Sequence, residues 1–135
     1  MIQSKLPDYF LVDPRLQDDA FERKGEIGLL CYGYQDDDLY FLRFEDREIY
    51  TYAAKDMLVF KPQEEILAYL ETHGNEIPRS DFNGLYNITL FLEYGNFENQ
   101  KKALELAKNS EKIIEVAMTS LSKSLERSNR LHTGR

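Results

Sequence analysis

The one run of three consecutive acids, Asp36-Asp37-Asp38, is the first place where residue type and spacing suggest chemistry. It opens like a calcium loop. The sixth position, however, is Phe41, where the tight turn wants glycine, and the twelfth is Arg47, where a bidentate glutamate is needed. An EF-hand is excluded. A solvated hairpin tip that blunts strand-edge pairing accounts for such a run. As a recognition element, Asp36, Asp37 and Asp38 would lie within about 10 Å of one another, close enough to steer lysine or arginine.

His73 and His132 are far apart in sequence, and His73 precedes Gly74, where a helix C-terminus welcomes positive charge. Cys31 is the one cysteine; in a strand it reads as a small buried hydrophobe. No Cys and His ligand set results, and no nucleophile is paired with a base. Phosphate-cradling glycine loops, a metalloprotease HExxH and a GxSxG elbow are all missing from the sequence. The expectation is no catalytic residue, no metal and no cofactor.

These residues sit in 135 residues with 42% hydrophobic and 30% charged content, a balance that fits one folded domain and neither a disordered tail nor a membrane protein. The domain is expected over 1–127, with the polar stretch 128–135 frayed. Lys and Arg number 17 against 24 Asp and Glu, for a net charge of −7. Residues 123–135 carry +3, which leaves −10 on residues 1–122. Such a body opposes direct binding to nucleic acid or anionic lipid and favours a basic partner. The opening residues lack the apolar run of a secretory signal, so the expected address is the cytoplasm.

A short helix is expected from Asp13, as cap, and Pro14 to Gly25. Segments 26–34, 39–45 and 48–54 are rich in Ile, Leu, Tyr, Phe and Thr and are separated by polar turns, which predicts a three-stranded meander. Met57 to Phe60 adds a short strand. Lys61-Pro62 then starts a helix carrying Ile66, Leu67 and Leu70, and Asn75 to Asn83 reads as a loop. From Tyr86 to Tyr94 the even positions are apolar, an alternation that fits a strand; a helix capped by Ser80 is the competing reading. After Gly95 the spacing is helical, with Ser110 expected to cap a second helix bearing Ile114, Met118, Leu121 and Leu125 on one stripe. The fold class is therefore α+β, an antiparallel sheet of four to five strands packed on one face against C-terminal helices.

If both hairpin loops are even in length, the meander has one aliphatic face and one aromatic face. The aliphatic face holds Ile27, Leu29, Cys31, Tyr40, Leu42, Phe44, Ile49, Thr51 and Ala53. The aromatic face holds Leu30, Tyr32, Tyr34, Phe41, Arg43, Glu48, Tyr50 and Tyr52. Tyrosines offer large contact area at low entropic cost, so Tyr32, Tyr34, Tyr50 and Tyr52 are the candidate anchors and Asp36, Asp37 and Asp38 the steering charges. A Tyr-rich face buried beneath a neighbouring helix is the structural alternative.

The function these features suggest is a small acidic cytosolic binding protein, concretely an inhibitor or immunity protein that neutralises a basic, nuclease-type toxin. A second class is an adaptor or homo-oligomer joined through the stripe from Ile114 to Leu125. A third is a small enzyme with a carboxylate and tyrosine pocket.

Overall fold

A computed structural model describes residues 6–133, with side chains described through Arg127. The chain opens with β1 (Tyr9–Val12), crosses an irregular segment, and forms the meander β2 (Ile27–Tyr34), β3 (Leu39–Arg43) and β4 (Ile49–Tyr52). β5 (Met57–Phe60) leads into α1 (Gln63–His73), α2 (Arg79–Tyr94), α3 (Phe97–Ala107) and α4 (Glu111–Ala117). β6 (Met118–Ser120) and α5 (Leu121–Thr133) follow. One antiparallel sheet runs in the order β4-β3-β2-β1-β5-β6. The fold is α+β, with six strands where four to five were expected.

β1 lies at the sheet centre, and its Phe10, Leu11 and Val12 are fully buried. A strand buried on both sides shows a continuous apolar run, so alternation cannot reveal it. Leu11 and Leu58 face a core built with Ile66, Leu85, Ile88, Leu104 and Ile113, which brings α1 through α4 onto one face, called here the helix face. Phe10, Val12, Met57 and Val59 face a second core with Tyr40, Leu42, Phe44, Tyr52 and Leu121. Helices thus cover both faces, α5 lying opposite α1–α4.

Four local expectations change. The segment from Asp13 to Gly25 forms turns, because the Asp19 carboxylate accepts from the backbone N–H groups of Phe21 and Arg23 and Glu22 adopts φ 58°. Residues 86–94 belong to α2, whose buried stripe is Leu85, Ile88, Thr89 and the partly buried Leu92, a helical spacing. The apolar residues that mimicked a strand, Tyr86, Leu90 and Tyr94, are the exposed ones. α2 starts at Arg79 within the stretch read as loop, ahead of Ser80.

The stripe from Ile114 to Leu125 is not one helix. Ser110 caps α4 as expected, accepting from Ile113 N–H at 3.2 Å. The chain then extends through β6 against β5, and Ser120 accepts from Lys123 N–H at 3.1 Å to start α5. Ile114, Met118 and Leu121 are buried in the cores, so this stripe holds the fold together and is no free docking face. The helical backbone continues through Thr133, within the stretch 128–135 expected to fray, and the last two residues lie outside the described ones.

Candidate binding face

The β2–β3 turn has four residues between partners Tyr34 and Leu39, so these two share a face as the even-loop argument requires. The second hairpin departs from it. Phe44 N–H bonds to Glu48 C=O at 2.9 Å and Arg47 N–H to Phe44 C=O at 2.8 Å, closing a three-residue loop with Arg47 at φ 74°. That is a type I turn followed by a left-handed residue, and its odd length reverses the parity of β4. Tyr52 stands opposite Tyr40 and Tyr50 opposite Leu42, on the α5 face, while Ile49 and Thr51 stand opposite Arg43 and Phe41 on the helix face.

β2 holds a second parity change. Leu30 pairs with Leu42 but Tyr32 with Phe41, the register slipping by one residue around Cys31. This bulge turns Tyr32 and Tyr34 away from the side to which Leu30 points. Cys31 is exposed at the bulge, contrary to the expectation of a buried hydrophobe. Gly33 falls opposite Tyr40, where a Cβ would come 3.2 Å from the ring; its bare backbone makes room for that buried tyrosine.

The four candidate tyrosines are therefore split. Tyr32 (66% exposed) and Tyr34 (51%) stay on the helix face, beyond the reach of α1–α4, beside exposed Leu39 and the half-buried Phe41, with exposed Ile49 farther along the same face opposite Arg43. Their rings form a small array: Tyr32 stacks on Tyr34 with centroids 6.4 Å apart, and Tyr34 meets Phe41 edge-on at 6.0 Å. Tyr50 and Tyr52 lie on the opposite side under the Asp13–Gly25 segment. Phe21 stacks on Tyr50 at 4.7 Å, and Tyr52 is buried with its hydroxyl bonded to Asp19. They are structural, not anchors on the exposed face.

The acidic tip divides too. Asp38 caps the Gln35–Asp37 turn at φ 55° and its carboxylate accepts from Ala54 N–H at 2.9 Å, tying the hairpin to the end of β4. Asp36 and Asp37 are exposed on that turn, two and three residues after Tyr34. The face thus combines aromatic surface with two free-standing carboxylates at its rim. Sequence reasoning missed Ile49 because of the odd loop; Phe41 and Arg43 it placed correctly.

A cleft of about 480 Å³ opens where β2 and β3 pass α3, lined by Glu26, Arg43, Glu45, Arg47, Lys101, Glu105 and Lys108. Its charges are mixed. Asp56, whose carboxyl is pushed up by burial and then by Asp13, Asp19 and Asp38, does not line it. Among the described residues, no three His, Cys, Asp or Glu side chains come together in a set that could hold a metal ion, and no helix is long and apolar enough to cross a membrane. His73 stacks on Tyr69 at the end of α1.

Comparison of the chain with protein-family models, curated proteins and solved structures found no match.

Proposed function

We propose that the chain is a small acidic binding protein that occupies the basic surface of a protein partner, acting in the cytoplasm and without direct nucleic-acid contact. The observation that carries this reading is the cluster of Tyr32, Tyr34 and Leu39, large side chains left in solvent around the half-buried Phe41, with exposed Ile49 farther along the same sheet face. Soluble domains seldom expose clustered apolar groups without a use, and tyrosine is favoured where one end must be dry and the other wet. The body carrying the face has a charge of −10 over residues 1–122, so a cationic partner is steered toward it.

In its concrete form the partner is a nuclease-type toxin, since a protein that holds phosphates must present lysine and arginine and an acidic cover would block that surface. Asp36 and Asp37 then speed encounter, and the rings slow release. The test is affinity capture from the native host with the wild-type chain and with Tyr32→Ser/Tyr34→Ser as matched baits. A basic protein held by the first and lost from the second supports the reading; equal retention by both baits refutes it.

A further inference from the structure

The exposed face ends at a strand with an open side. β4 is the last strand of the sheet and pairs with β3 alone. The bond from Phe44 N–H to Glu48 C=O sets the phase of that pairing: bonded pairs alternate, so Leu42–Tyr50 and Tyr40–Tyr52 exchange backbone bonds while Ile49 and Thr51 direct their N–H and C=O groups away from β3. Among the described residues no other segment takes those groups. Ile49, 49% exposed, and Thr51 also present their side chains on the face that holds Phe41, Tyr34 and Tyr32.

Acids flank this edge at both ends. Glu45, Asp46 and Glu48 surround its start, with Arg47 among them, and Asp38, bonded to Ala54, stands at its finish beside Asp36 and Asp37, with Lys55 next in sequence to Ala54; acids outnumber cations at each end. Asp46 is paired with Arg23, while no ion pair involves Glu45, Glu48, Asp36 or Asp37 among the described residues. Antiparallel pairing of two copies of β4 would set the acidic start of one against the acidic finish of the other, so a second copy is the disfavoured occupant. An extended segment with cationic ends meets opposite charge at each end.

We propose that β4 accepts an added strand from a basic partner, a segment with Lys or Arg at its ends and β-branched residues between, which takes the free backbone groups of Ile49 and Thr51 and extends the aromatic face. This inference rests on the proposed binding function and specifies its mode. β-Augmentation supplies affinity through main-chain bonds, and the face adjoining Ile49 and Thr51 reads alternate side chains.

The test uses the ¹⁵N-labelled full chain and the peptide acetyl-Lys-Lys-Val-Thr-Val-Lys-Lys-amide. Its partners are an analogue N-methylated at the bonding positions and one with Glu in place of Lys. The expected result is slower hydrogen exchange at the Ile49 and Thr51 amides, with binding weakened about tenfold by N-methylation, the scale of one or two backbone bonds. Thr51→Pro should have the same effect on the unmodified peptide, since a proline is tolerated where the N–H faces outward on an edge strand. If that variant misfolds, the N-methyl analogue alone decides. Shifts confined to Tyr32, Tyr34 and Phe41, with equal binding of the N-methyl analogue, overturn strand addition but leave the aromatic face as a docking site. No response at edge or face tells against both. Protection of Ile49 and Thr51 that grows with protein concentration in the absence of peptide overturns the inference in favour of a second copy.

Discussion

The Tyr52 hydroxyl donates to the Asp19 carboxylate, 3.1 and 3.2 Å from its two oxygens, across 33 residues of sequence. Asp19 also accepts from Phe21 and Arg23 N–H groups, so one carboxylate both folds the irregular segment and fastens it to β4. The segment is further held by the Arg23 guanidinium, which lies over the rings of Phe44 and Tyr50 and pairs with Asp46.

Burial, followed by the hydrogen bond and charge of Asp19, pushes the Tyr52 hydroxyl well above the usual tyrosine range. The native state then holds this proton more tightly than the unfolded chain, whose tyrosines ionise near about pH 10. The stabilisation is complete below that pH and is lost as pH rises toward the native value. Tyr52→Phe should cost about 1 kcal/mol at pH 7 in urea unfolding and should flatten the decline in stability above about pH 10. An unchanged alkaline profile would detach Tyr52 from that decline.

Asp56 shows the same sign of pH dependence in the acid range. Its carboxyl is raised, first by burial and then by Asp13, Asp19 and Asp38, against the lowering effect of Lys55. The native state disfavours the charged form, so the group's contribution falls as pH climbs from the ordinary aspartate value through the raised one. Asp56→Asn should raise the melting temperature at pH 7 and have little effect near pH 3, a difference that thermal unfolding at the two pH values reads directly.

Leu121 is 1% exposed in the core between the sheet and α5. Leu121→Ala should cost about 2–5 kcal/mol, and Leu121→Asp should prevent folding. Sedimentation and circular dichroism check this together: a folded Leu121→Asp monomer derived from a dimer would restore the stripe as an interface.

Tyr32 and Tyr34 should tolerate change. Tyr32→Ser and Tyr34→Ser are expected to shift stability by no more than about 0.5 kcal/mol each, in contrast with any truncation of Tyr52. Urea midpoints of the variants are the measurement, and a loss comparable to a core truncation would show that the face is needed for folding.

The three aspartates should separate by role. Asp38→Ala, which strands the Ala54 N–H, should destabilise by about 1 kcal/mol. Asp36→Asn/Asp37→Asn should leave stability unchanged and slow association with a captured basic partner, with a weaker dependence on salt. Stopped-flow binding at two ionic strengths distinguishes them.

Much of the scaffold could be read from residue order. The α+β class, the meander, α1 through Ile66 and Leu70, and the Ser110 cap all follow from local periodicity and capping chemistry, which act over a few residues. The even length of the β2–β3 loop, on which the face assignment depends, holds as well. What tertiary structure alone decided was which tyrosines meet solvent. Side chains alternate with a period of two, so one left-handed residue at Arg47 and one bulge at Cys31 each exchange the faces of everything beyond them. Neither site carries the glycine or asparagine that would announce it. β1 escaped because burial on both sides erases alternation, β6 because pairing with β5 outweighed a helical spacing, and α2 because its outward side kept Tyr86, Leu90 and Tyr94. Composition set the charge and the tyrosine supply; long-range packing chose Tyr32 and Tyr34 for the surface and Tyr52 for the core.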